Sequence, residues 1–127
     1  MLCYGTQRSL MACPSLQVNI ERGAIYRVNL DPTIGSEQQG NARPCVVLTL
    51  TAYNRQLRTV GVVPLTSSPR ALFPLIVPVP STGKASAMAL CHQIRTIDKT
   101  RIGKLLGALN LVDLAAVEDG VRRVHGL

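Results

Sequence analysis

The chain has 127 residues, 46% hydrophobic and 3% aromatic, with no Trp and with 14 Lys+Arg against seven Asp+Glu for a net charge of +7. That size and hydropathy imply one domain with one packed core, and exclude two full cores or a disordered tail; no apolar run reaches the ~18–20 residues of a membrane-spanning helix. The basic balance points to phosphate, in nucleic acid or an anionic surface, while the shortage of aromatics excludes a base-stacking platform and leaves Arg, amides and hydroxyls to do any reading.

Residues 1–20 show no regular period and carry one charge, Arg8. They read as a flexible N-terminal extension, with the organised domain spanning 21–127. Leu10-Met11-Ala12-Cys13 resembles a lipoprotein cleavage box, but the preceding residues are polar and too few for the ~7–15-residue apolar core of a signal. Membrane anchoring is therefore not expected, and Met11 is a second candidate start. Of the four cysteines, Cys3, Cys13, Cys45 and Cys91, none forms a C-x-x-C, and only two His are present. No metal site is expected, and the thiols read as reduced, in a cytoplasmic protein.

Residues 24–30 form a β-rich run that ends at the turn signal Asp31-Pro32. Residues 33–42 are polar, bracketed by Gly35 and Gly40, and too long for a simple hairpin, which makes this loop a functional candidate. Residues 45–50 are a continuous β-branched run, expected as a strand buried on both faces. A helical turn over 51–55 and a strand over 60–65 follow. The strand at 75–79 is flanked and broken by Pro74, Pro78 and Pro80, so it belongs at a sheet edge. Residues 81–84 are a loop, 87–94 a strand, Asp98 the cap of a short helical turn through Arg101, and Leu105-Leu106 a last strand. Asn110 is a good N-cap with Asp113 behind it. Leu111, Leu114, Val117, Val121 and Val124 recur at helical spacing, acids come early and basics late, and Gly126 stops the helix. The expected fold is mainly β (α+β by content): a small antiparallel barrel-like sheet with a C-terminal α-helix packed on it.

A census of the acids separates out one. Asp31 starts a turn, Asp98 caps one, Asp113, Glu118 and Asp119 belong to the last helix, and Glu21 lies at the domain edge. Glu37 remains, in the Gly-bounded loop. A two-metal phosphodiesterase needs several convergent carboxylates, and no such spacing occurs. RNA offers a route without metal, because its 2′-hydroxyl is an internal nucleophile. Glu37 can act as base, Arg43 can clamp phosphate with its fork, and Thr66 can donate a hydroxyl to a phosphoryl oxygen. Each also has an ordinary reading, as solvated Glu, surface Arg and turn Thr, and spacing alone favours the ordinary one.

Six motifs in order carry a resemblance from Arg22 to the C-terminus. Arg22-Gly23-Ala24-Ile25-Tyr26 is similar to the R-G-[DE]-[IV]-[WY] of the MazF/PemK toxin ribonucleases. Leu30-Asp31-Pro32-Thr33-Ile34-Gly35-Ser36-Glu37-Gln38 resembles their L-D-P-x-x-G-S-E-Q. Arg43-Pro44, Asn54-Arg55, Pro64-Leu65-Thr66-Ser67 and Gln93-Ile94-Arg95-Thr96-Ile97-Asp98 match the remaining four. The resemblance implies an SH3-like β-barrel, a homodimer, and a toxin of a type II toxin–antitoxin pair. The activity it implies is metal-independent, sequence-specific cleavage of single-stranded RNA to 2′,3′-cyclic phosphate and 5′-hydroxyl ends, without cofactor. The partner it implies is a cognate antitoxin with an acidic, disordered tail. It assigns catalysis to Glu37, Arg43 and Thr66, and RNA contacts to Ser36, Gln38, Asn54, Ser67, His92, Gln93 and Arg95. Three positions depart from the pattern. His92 stands where many members carry Asp, and Ala24 and Tyr26 stand where an acid and Trp are common. If the strand reading of 87–94 holds and Cys91 faces the core, His92 faces out, where a functional His, as acid/base or base reader, competes with a merely exposed one. A non-enzymatic toxin of the same fold that poisons DNA gyrase, and a passive basic nucleic-acid-binding module, are the competing readings.

Overall fold

The computed structural model describes residues 19–38, 40, 42–67 and 70–127. Among the described residues, seven strands form: β1 (Ala24–Val28), β2 (Arg43–Val47), β3 (Thr59–Thr66), β4 (Ile76–Pro78), β5 (Met88–Leu90), β6 (Arg95–Asp98) and β7 (Ile102–Ala108). They build one antiparallel sheet in the order β4-β5-β3-β2-β1-β7, with β6 also paired to β3. The sheet turns back far enough for β7 to approach the 3-10 turn Pro80–Thr82, but β4 and β7 are not paired. The expected barrel is therefore an open one. The proline-broken β4 lies at the sheet edge, as its three prolines require.

The central strands are buried on both sides, and their alternation explains the unbroken apolar runs. Ile25 of β1, Val46 of β2, and Val63 and Leu65 of β3 point into a core shared with α2 (Leu111–His125), which contributes Val117 and Val121. Their neighbours Tyr26, Val28, Cys45, Val47, Val60 and Val62 point the other way, into a second cluster closed by Leu30, Ile97 and Ile102. Each strand thus feeds two cores by period-2 alternation. Ile20 belongs to the second cluster and is fully buried. The expected domain boundary falls just after it. Residues 1–18, which include the Leu10-Met11-Ala12-Cys13 box, lie outside the described residues.

The strand expected over 87–94 is two strands with a turn between them. From Leu65↔Ala89 to Val62↔Arg95, β3 advances three residues while its partner advances six. The three extra residues are the 3-10 turn Cys91–Gln93. His92 therefore sits on a turn, not on an alternating strand; Cys91 is buried and His92 exposed. The same interruption accounts for Pro64 in the middle of β3. It falls between the two paired stretches on that edge, where no continuous ladder demands an N–H.

Helix α2 starts and stops as its sequence indicates. Asn110 Oδ1 accepts from the Asp113 N–H at 2.8 Å, and Gly126 closes the helix with φ of 71°. The apolar stripe is shorter than expected, because Leu111 is 84% exposed. The first turn meets backbone rather than core: Asp113 is buried, and its Oδ2 accepts from the Ser81 N–H at 2.7 Å. Arg22 ties the start of β1 to this helix through Glu118, with Nε to Oε2 at 3.1 Å, and also donates to the Leu48 carbonyl. Asp98 caps the 3-10 turn Lys99–Arg101, accepting from the Thr100 N–H at 2.9 Å and its hydroxyl at 2.6 Å.

Candidate active site

The loop joining β1 to β2 is tied at its neck by its own polar groups. The Leu30 N–H donates to the Gly40 carbonyl at 2.8 Å, and the Gly40 N–H returns a bond to Asp31 Oδ1 at 3.1 Å. Arg95 donates to the Leu30 carbonyl at 3.2 Å, and Arg101 to the carbonyls of Asn29 and Asp31 at 3.0 and 2.6 Å. Inside the loop, Glu37 Oε1 accepts from the Ile34 N–H at 2.7 Å. The loop delivers the chain to Arg43, the first residue of β2. Gly40 has φ of 132°, and a Cβ there would stand 2.4 Å from Cγ and Cδ of Arg43. Glycine is required on both counts: the conformation, and the close passage of the arginine stem.

Arg43 and Thr66 face each other across two strands. The pairing Cys45↔Pro64, carried two residues further, brings them level. Both line a cavity of about 550 Å³ together with Ser67. The far wall comes from Ser81, Thr82, Gly83 and Lys84, and the rim from Leu106, Gly107 and Ala108 of β7. Two cations and four hydroxyls line it, with no carboxylate among the described residues, which is an environment for an anion. A second cavity of about 570 Å³ is lined by Ser36, Glu37, Gln38, Pro64, His92, Gln93, Ile94 and Arg95. Both volumes fall within the ~300–1,000 Å³ of small-molecule pockets.

Glu37 thus lies in the neighbouring cavity to Arg43 and Thr66. Gln38 connects the two. Its N–H donates to Gln93 Oε1 at 2.6 Å. With its amide oriented by the surrounding donors, its Oε1 accepts from Arg43 Nε at 3.1 Å and Nη2 at 2.8 Å. Beneath the site, burial pushes the Cys45 thiol up to about 12, against the opposing pull of the Arg43 and Arg95 guanidiniums. Both arginines therefore lend their fields to this part of the sheet. His92 Nδ1 lies 3.4 Å from the Leu75 carbonyl.

Asn54 is the one expected RNA contact that the structure places elsewhere. It is 0% exposed, and its Nδ2 donates to the carbonyls of Ile20 and Thr49, each at 3.0 Å. The side chain fastens helix α1 (Thr51–Gln56), which has no side-chain N-cap, to the chain on either side. Lys84, Ser81 and Thr82 were not distinguished in the sequence from an ordinary loop. Only the approach of that loop to β2 and β3 puts them opposite Arg43. Among the described residues, no three of His, Cys, Asp and Glu gather as a metal site would need.

The family model for PemK-like, MazF-like toxins of type II toxin–antitoxin systems matches residues 21–125. The chain belongs to this family. Endoribonuclease PemK of Escherichia coli is 42% identical over 92 residues, covering 69% of this chain and 68% of PemK. The crystal structure of MazF from Deinococcus radiodurans superposes with a TM-score of 0.75 at 28% identity, over 84% of this chain and 96% of that one. A mycobacterial endoribonuclease solved in complex with its cognate antitoxin gives a TM-score of 0.70 at 25% identity, over 84% and 95% of the two chains. The open barrel and terminal helix of this toxin are thus the family's architecture.

Proposed function

We propose that this PemK/MazF toxin is a cytoplasmic endoribonuclease that cuts single-stranded RNA without a metal, across the two neighbouring cavities. The observation that carries the reading is the placement of Arg43 and Thr66 in one basic, carboxylate-free cavity, with Glu37 in the next. The RNA backbone crosses from one to the other. Glu37 takes the proton of a 2′-hydroxyl; a carboxylate has a second oxygen for this beside the one that caps its loop. The 2′-oxygen forms a bond to phosphorus, and the bond to the 5′-oxygen breaks. That oxygen leaves as a hydroxyl with a proton from solvent, and the phosphate closes to a 2′,3′-cyclic ester. Arg43 clamps the charged phosphorane and Thr66 donates to one of its oxygens. Ser36, Ser67, His92, Gln93 and Arg95 line the path of the flanking nucleotides.

The reading includes a homodimer and an antitoxin. Edge strand β7 exposes Leu105 and Leu106, and the start of α2 exposes Leu111 and Val112, an apolar stretch suited to a second copy. An acidic, disordered antitoxin tail fits the net charge of +7 and would compete with RNA for the cavities. The domain responsible is residues 21–127, with Ile20 packed into its core at the end of the extension. The test is incubation with a synthetic single-stranded RNA in excess EDTA. The wild type is expected to leave 2′,3′-cyclic phosphate and 5′-hydroxyl ends. Arg43→Ala and Thr66→Ala are each expected to lose ~10²–10³ in rate, the usual cost of one transition-state donor. Binding without cutting would make the chain a passive module, and wild-type rates in Arg43→Ala would place the chemistry elsewhere.

A further inference from the structure

We propose that Gln93 and Gln38 form a positioning relay that aims Arg43, so that the recognition cavity sets the geometry of the cleavage cavity. The inference rests on the cleavage reading above and assigns to two glutamines a role beyond contact with RNA. Three observations converge on it. The Gln38 N–H donates to Gln93 Oε1 at 2.6 Å, which fixes the loop backbone against the Cys91–Gln93 turn. With the Gln38 side-chain amide turned so that its oxygen faces the Arg43 donors, Oε1 accepts from both Nε and Nη2 of Arg43, at 3.1 and 2.8 Å, a two-point grip that fixes the guanidinium plane as well as its position. On its other side the Arg43 stem passes Gly40 so closely that a Cβ would collide with it. The arginine is therefore held from two directions, one of them traceable to a residue on a different element.

The chemistry explains why such a grip matters. A free arginine on a strand end samples many rotamers, whereas stabilising a phosphorane demands a fork held in one plane. Gln38 supplies a neutral acceptor, which orients the cation without cancelling its charge; a carboxylate there would do the first and undo the second. Gln93 lines the cavity that holds Glu37 and His92. A nucleotide seated there presses on the residue that holds Gln38, and through it on Arg43. Gln93 Nε2 also donates to the Ser36 carbonyl at 3.5 Å, so both ends of its amide face the same loop.

The test compares Gln38→Ala, Gln93→Ala, the double variant and Gln93→Glu by single-turnover cleavage of one RNA, with Arg43→Ala as reference. Each single Ala variant is expected to lower the saturating rate by about tenfold to a hundredfold, the cost of a small misplacement; Gln38→Ala changes apparent affinity little, and Gln93→Ala also weakens it, because Gln93 lines the RNA path. The double variant is expected to be no worse than the poorer single one, because both act through Arg43. Gln93→Glu keeps the acceptor for the Gln38 N–H and is expected to restore the saturating rate while weakening affinity through its charge. An independent readout without RNA is the Arg43 Nε–H resonance in a ¹⁵N spectrum, which is expected to move in both Gln38→Ala and Gln93→Ala. The relay is overturned if the two losses multiply, if Gln93→Ala changes affinity alone, or if it leaves the Arg43 resonance unmoved. Arg43→Ala cutting at the wild-type rate would instead sink the cleavage reading, whatever the resonance does.

Discussion

Single residues in this toxin titrate in ways that packing dictates. Asp98 is exposed, yet its carboxyl is held below the ordinary 3.8, first by the Thr100 hydroxyl, then by the Thr100 N–H, with Arg58 and Arg101 adding to both. A folded pKa below the unfolded one gives stability that is present above the unfolded value and lost as pH falls through the folded one. Asp98→Ala should therefore lower the thermal midpoint near neutrality, and the gap to wild type should narrow as pH falls below the unfolded value and through the folded one. A gap that persists in acid would show that the cap acts through packing instead. The buried thiols behave oppositely. Burial pushes Cys45 up to about 12, against Arg43 and Arg95, and Cys91 up to about 11, against its backbone hydrogen bond. Their contribution to stability is complete below the unfolded value and fades as pH rises through the folded ones. Alkylation of the native protein at about pH 8, read peptide by peptide, should label both slowly, and urea should abolish the protection.

At the scale of elements, helix α2 is the clamp that seats the turn bearing His92 and Gln93. Its Gly120 is where the approach is closest: a Cβ there would stand 2.7 Å from Cys91 Sγ and 2.9 Å from the Pro74 carbonyl. One helical turn on, the Arg123 guanidinium lies over the Phe73 ring, 5.3 Å from its centroid, and Asp119 steadies that arginine at 2.9 Å. The helix therefore holds both Cys91 of the turn and the segment 73–74, whose neighbour Leu75 accepts from the Cys91 N–H at 2.8 Å. Gly120→Ala gains helix propensity but must displace a backbone carbonyl that has nowhere to go. Overpacking of this kind costs about 1–3 kcal/mol, which urea denaturation would resolve. Adding Cys91→Ala should recover only part of the loss, since the clash with Pro74 remains. Full recovery would mean that Cys91 alone limits the approach.

The whole molecule presents its charge where two distant segments meet. Lys84 and Arg43 line one cavity, which the approach of β7 to the Pro80–Thr82 turn helps to form. For single-stranded nucleic acid, log affinity falls with log salt by about 0.7 for each phosphate neutralised. Lys84→Ala should weaken binding of an uncleavable RNA, with a 2′-deoxy sugar at the cut, and flatten that salt slope by about 0.7. An unchanged slope would place Lys84 off the RNA path.

Much of this was open to reading in the sequence, because it depends on neighbours along the chain. The caps Asn110 and Asp98, the stop at Gly126, the edge prolines and the double-faced strands each follow from the residue and the few beside it. The motif series around Glu37, Arg43 and Thr66 belongs to the same category. What needed the tertiary structure depends on register between segments far apart. The three-residue excursion in the partner of β3 turned an expected strand into the turn that carries His92 and Gln93. Asn54 is buried and bonded to the carbonyls of Ile20 and Thr49, away from the two cavities. The division of Glu37 and Arg43 between two cavities, the Gln38 link between them and the position of Lys84 opposite were invisible for the same reason. A cavity is the space left between elements, and no local propensity encodes the separation of residues that meet only when the sheet folds round.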